Sequence, residues 1–164
     1  MIPSPIFLLA PFLLGISGGL RSLVPGAVLM IAIFLDTISI AGTWFEFLDS
    51  HLLLIAAIVL SFGELIGDKL SIAPARTAWL GLSGRIVTGA LCGVILNASL
   101  AGNSIPGMTA GAVLGVIGAL VGTFGGFFVR THAVERLKTR DLFVAIPEDL
   151  VSITLAICAI YLSV

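Results

Sequence analysis

Charge is what this chain has least of. Asp, Glu, Lys and Arg make up 10% of its 164 residues, against about 25% in soluble globular domains. Histidine is equally sparse, with only His51 and His132, and the cysteines are two, Cys92 and Cys158. These shortages exclude whole classes of function. Two cysteines inside apolar stretches give neither a disulfide framework nor a metal or redox pair, and behave as small packing groups. A formal net charge of −1 leaves no basic surface for nucleic acid. No nucleophile stands beside a base in a pattern that enzymes use, so the expectation is a protein that is not an enzyme and carries no cofactor.

What is present is apolar. Hydrophobic residues account for 59% of the chain, with 19 glycines and a mean hydropathy of +1.21. Apolar segments fall at roughly residues 6–20, 22–40, 48–67, 82–100, 107–129 and 148–163, separated by short polar connections. About 20 apolar residues cross a bilayer as a helix, and lipid leaves no alternative partner for the backbone. None of these segments alternates as a barrel strand does. The sequence therefore predicts an all-α fold, a polytopic transmembrane bundle of five or six membrane segments, forming one integral membrane domain over residues 1–164. The amino terminus, with Pro3, Pro5 and Pro11 and no basic region, is not expected to be a cleaved signal.

Basic residues orient the bundle. Lys69, Arg76 and Arg85 fall in one connection and Arg130, Arg136, Lys138 and Arg140 in another, whereas residues 36–49 and 97–107 contain no Lys or Arg. The excess of positive charge on cytoplasmic loops predicts that connections 68–85 and 130–140 face the cytoplasm, in a multi-pass protein of the inner (cytoplasmic) membrane. The carboxyl terminus then lies outside, as do Trp44 and Phe45, which suit an interfacial position. His51 falls on the outer side and His132 on the inner, so they share no site. The first forty residues allow two arrangements, a hairpin turning at Arg21 or one helix broken there. Sidedness favours the hairpin, since Arg21 then joins the other basic residues.

Glu64 and Asp68 stand one helical turn apart in Phe62-Gly-Glu-Leu-Ile-Gly-Asp-Lys69. A carboxylate near hydrocarbon costs about 2.5–3.5 kcal/mol on insertion scales, so such groups pair, face water, or handle an ion or proton. They lie at the carboxyl end of their segment, where the helix dipole disfavours negative charge. Glu148 and Asp149 differ, because they follow Pro147 at the expected start of the sixth segment, where dipole and proline both suit. The candidate ion or proton site is thus Glu64, Asp68, Glu148 and Asp149, with Arg21, Arg85, Lys69 and Arg130 as charge partners or anion contacts. The competing explanation is a structural ion-pair cluster in a non-transporting scaffold.

Glycines recur at 107, 111, 115, 118, 122 and 125, and the four-residue spacing repeats in Gly63 and Gly67 and in Gly89 and Gly93. Such small faces let membrane helices approach closely. They predict scaffold contacts, with the lipid bilayer and a second copy of the chain, a homodimer by default, as partners.

Gly19-Leu-Arg21 with Pro25, Glu64 with Asp68-Lys69, Arg85 followed by Gly89-Ala-Leu91, and Glu148-Asp149 together resemble a family of small bacterial membrane proteins defined only as a domain of unknown function. The resemblance covers most of the chain and implies a shared fold and shared polar residues, without a substrate. A shorter resemblance, to cation and proton exchangers with a Glu-x-Gly-Asp-Lys motif, is offset by one residue here. That offset turns Glu64 by about 100° relative to Asp68. The expected function is a small transporter or channel-like protein for a cation or proton.

Overall fold

The computed structural model describes residues 5–67, 79–137 and 141–164. They form helices α1 (Pro5–Leu20), α2 (Val24–Phe34), α3 (His51–Gly67), α4 (Trp79–Ala101), α5 (Ile105–Leu137) and α6 (Asp141–Tyr161), with a short 3-10 turn at Glu46–Leu48. Among the described residues there is no strand. Trp79–Ala101, Ile105–Arg136 and Val144–Tyr161 are long and apolar enough to cross a membrane; α1, α2 and α3 are shorter apolar helices.

Glycine sets the centre of the bundle. A Cβ on Gly93 would strike the backbone of Gly111, one on Gly115 that of Gly89, and one on Gly118 or Gly122 the backbone of α1 between Phe12 and Gly19. The paired positions show that α5 runs antiparallel to α4 and parallel to α1. Backbones this close gain dispersion contact along their whole length, and any side chain between them is excluded. The expected ridge on α5 is therefore real, with one shift in register. Gly126, against Leu20 and Glu148, continues it, while Gly125 has nothing within 4 Å of its Cβ position. Gly63 and Gly67 are likewise open, so the same spacing on α3 brings no other helix into close contact among the described residues.

Residues 5–40 form the hairpin. Ala10 and Leu14 in the body of α1 share a core with Met30 and Ile33 towards the end of α2, and with Ile38 and Ile40 beyond it. Only a chain that reverses at residues 21–23 can bring these together. Pro25 falls in the first turn of α2, where its missing N–H has no partner to lose. The second segment is shorter than the expected 22–40, because Asp36 takes a left-handed φ of 53°. Asp36 N–H donates to the Ile33 carbonyl and Thr37 N–H to the Ala32 carbonyl, which is a Schellman ending with Asp in the glycine position. Beyond it, Asn103 accepts from the Trp44 N–H and donates to the Gly42 carbonyl, tying the α2–α3 loop to the α4–α5 turn.

Two further boundaries differ from expectation. The fifth segment does not stop at 129 but continues as helix through Arg130 to Leu137, and α6 begins at Asp141, so Pro147 lies inside it. Glu148 and Asp149 are therefore not first-turn residues. The helix dipole that seemed to account for them does not.

Candidate functional site

The three residues between α1 and α2 are the focus of the buried charge. A tight reversal strips the last carbonyls of α1 and the N–H groups leading into α2 of intrahelical partners. Each set meets a side chain of opposite polarity from a distant helix. Arg85 of α4, 4% exposed, donates through Nη1 to the carbonyls of Gly19 and Leu20, the latter at 3.1 Å. Thr123 of α5 adds a bond to the Gly19 carbonyl at 3.2 Å. Glu64 of α3 accepts from the N–H groups of Ser22 and Leu23, one on each carboxylate oxygen, at 2.6 and 2.7 Å. A cation thus sits on the negative end of α1 and an anion on the positive end of α2, the favourable sense for both dipoles.

Arg21 lies between these caps and is fully buried. Its Nε donates to Oδ1 of Asp149 on α6 at 2.5 Å. One turn deeper, Ser17 and Ser152 join the same two helices through reciprocal hydroxyl and carbonyl bonds of 2.9–3.1 Å. The polar seam ends there, since Leu14, Leu29 and Leu96 close the core beyond it. On the outer side of α6, Glu148 pairs with Arg130 of α5 at 3.4 Å.

Of the residues proposed from sequence, Arg21, Glu64, Arg85, Arg130, Glu148 and Asp149 therefore gather at one end of the bundle. Asp68 and Lys69, with Arg76, lie outside the described residues. Glu64 is not neutralised by a basic side chain in its described contacts but by backbone N–H groups. Its place near the carboxyl end of α3 made no local sense because the helix terminus it serves belongs to α2. Ser17, Ser152 and Thr123 were missed. Their only sequence signal is a hydroxyl in an apolar helix, which a helix also tolerates by bonding its own preceding turn. Among the described residues no group of three or more His, Cys, Asp or Glu side chains is placed to hold a metal ion.

No protein-family model matches the chain, and no curated protein and no solved structure matches it either. The functional reading therefore stands on the geometry alone.

Proposed function

We propose that the chain is a small integral membrane transporter or channel-like protein that moves a cation or proton, with the turn between α1 and α2 as its working site. The observation that carries this is the convergence of Glu64, Arg85 and Asp149, from three helices, on Arg21 and the break it occupies between α1 and α2. Apolar residues of similar volume stabilise a core as well as a buried ion pair does, or better. Ionisable groups retained at such positions in membrane helices mark ion paths and proton relays. Interrupted helices, with their exposed N–H and C=O ends, are where transporters build such sites.

In this reading Asp149 is the acceptor and Arg21 its resident competitor. A proton on Asp149 releases Arg21; its departure lets the pair re-form. Glu64 holds the turn, and its remaining lone pairs can still face a cation, since an ionised carboxylate offers about four acceptor positions. Asp68 belongs to the proposed site by its spacing from Glu64. In this reading the basic end, which includes Arg21, Arg85, Arg130 and Arg136, faces the cytoplasm from the inner membrane, as the excess of basic residues there suggests. The exposed apolar face of α3, with Leu52, Ile55 and Val59, leaves room for a homodimer.

Proton and alkali-cation flux into proteoliposomes, read with pH- and cation-sensitive dyes, tests the proposal. Asp149→Asn and Glu64→Gln are expected to lose most of the flux while remaining monodisperse in detergent. Normal flux in both would remove the cluster from the mechanism. The competing scaffold reading is favoured by one observation, the matched caps on α1 and α2, which a purely structural lock would also display. Folded but flux-dead variants would sink that alternative.

A further inference from the structure

The two halves of α3 are held in different ways. In its amino half Leu53, Leu54 and Ala57 pack against the buried core, and the His51 ring meets Phe34 of α2 edge to face, with centroids 5.1 Å apart. The loop leading into this end is tied to the α4–α5 turn through Asn103. Among the described residues, none from 58–67 joins that core. Ser61 is the one buried residue of the helix, and what fixes this half to the α1–α2 turn is the pair of bonds that Glu64 accepts from the Ser22 and Leu23 N–H groups.

Packing between these two attachments is incomplete. A cleft of about 290 Å³ lies between α2 and α3, with Gly26 and Met30 on one side and Ala57 and Leu60 on the other. A second, of about 180 Å³, is lined by Val24 and Val28 of α2, Ser61 and Leu65 of α3, and Ile153, one turn beyond Asp149 on α6. Native interiors hold few voids larger than a water molecule, whose share of liquid volume is about 30 Å³. Along this seam α3 therefore moves without first breaking a close-packed layer, and the second cleft leads to the helix that carries Asp149.

We propose that α3 is a gate over the α1–α2 turn, hinged at His51 and latched by Glu64. When Glu64 lets go of the Ser22 and Leu23 N–H groups, the carboxyl half swings outward and the cleft beside Ile153 opens towards Arg21 and Asp149. The proposal rests on the transport reading for its purpose and supplies the regulation of that site. The carboxylate that takes the cargo is also the latch, so occupancy and opening are one event. The asymmetry of attachment decides which end moves. Two charge-assisted hydrogen bonds are strong but share a single side chain, whereas the amino half keeps many small apolar contacts that no single change removes. Hinges of this kind sit at the ends of elements.

Gly26 offers a way to hold the gate shut. A Cβ there meets nothing within 4 Å, so Gly26→Leu extends into the larger cleft and joins α2 to α3 by apolar contact in place of the latch.

The experiment is double electron–electron resonance on the full-length chain in lipid nanodiscs, with Cys158→Ser and the buried Cys92 left in place. One pair of spin labels, on Ile66→Cys and Phe128→Cys, reads the latched end; another, on Leu52→Cys and Ile105→Cys, reads the hinged end. All four positions are exposed. Glu64→Gln is expected to lengthen the first distance by about 5 Å, one helical turn, and to leave the second unchanged. Gly26→Leu added to Glu64→Gln is expected to restore the first. No change in the first distance, an equal change in both, or no restoration by Gly26→Leu would overturn the proposal. Should Glu64→Gln fail to fold, Gly26→Leu alone decides: a narrower first distribution than in the unaltered chain is expected, and an unchanged one overturns the gate. Flux measured on the same variants keeps gate and transport apart. An opened α3 with normal flux leaves the hinge standing and removes transport from this turn, whereas a closed α3 with lost flux removes the gate and leaves transport.

Discussion

Arg21 and Asp149 join α1 to α6 at a depth where water is excluded from the guanidinium. Removing one partner of a buried pair costs about 3–5 kcal/mol, whereas replacing both by apolar groups of similar volume is often neutral or stabilising. Arg21→Met and Asp149→Leu are each expected to lower the unfolding midpoint strongly, and the double variant to recover most of the loss. Thermal unfolding in detergent reads this, and a double variant as unstable as the worse single one would contradict it. Flux of the double variant carries separate information, since a stable bundle without transport assigns the pair to the mechanism. At this scale the sequence was informative about which residues matter and silent about how they pair. The charged residues stand out because the background is so apolar. Their partners do not, because Glu64 serves backbone groups 41–42 positions away, and a backbone N–H leaves no mark in a sequence.

Helices here are distinguished by which glycines touch something. Gly93 lies against the backbone of α5, so Gly93→Ala overpacks a contact that cannot yield locally, with an expected loss of about 1–3 kcal/mol. Gly63→Ala on α3 meets open space and is expected to be neutral or to stabilise by up to about 1 kcal/mol, the helix-propensity difference. Equal effects in a thermal unfolding comparison would refute the distinction. The spacing of four is identical in both helices, which is why the sequence could not separate them. A second expectation concerns the end of α2, where Asp36 holds a left-handed φ. Asp36→Gly removes a strain of about 1 kcal/mol and should raise the unfolding midpoint without altering helix content by circular dichroism. The six apolar segments were legible with boundaries off by only a few residues at α1, α3 and α4, where Pro, Gly and charge punctuate the chain. The largest errors, at α5 and α6, came from treating Arg130 and Pro147 as boundaries. Neither ends its helix, because a helix can carry a charge that has a partner, and an internal proline whose neighbours compensate.

Across the whole molecule packing is uneven. α1, α4 and α5 form the glycine-lined centre, α6 lies against α1 and α2, and α3 packs mainly on α2 with most of its surface exposed. Local opening follows such differences. Hydrogen exchange in detergent is expected to be slowest in α1 and in the α4–α5 pair, and fastest in α3. Protection of α3 equal to that of α1 would show that something else covers it, such as a second copy. The hairpin turn also imposes an order on biogenesis. As the chain leaves the ribosome, Ser22 and Leu23 precede Glu64 by about forty residues, and Arg21 precedes Asp149 by 128. Neither the cap nor the ion pair can close until those later helices exist, so the first hairpin is completed by residues synthesised long after it. Synthesis of α6 is therefore what finishes the turn, and a chain halted before α6 lacks the carboxylate that Arg21 pairs with.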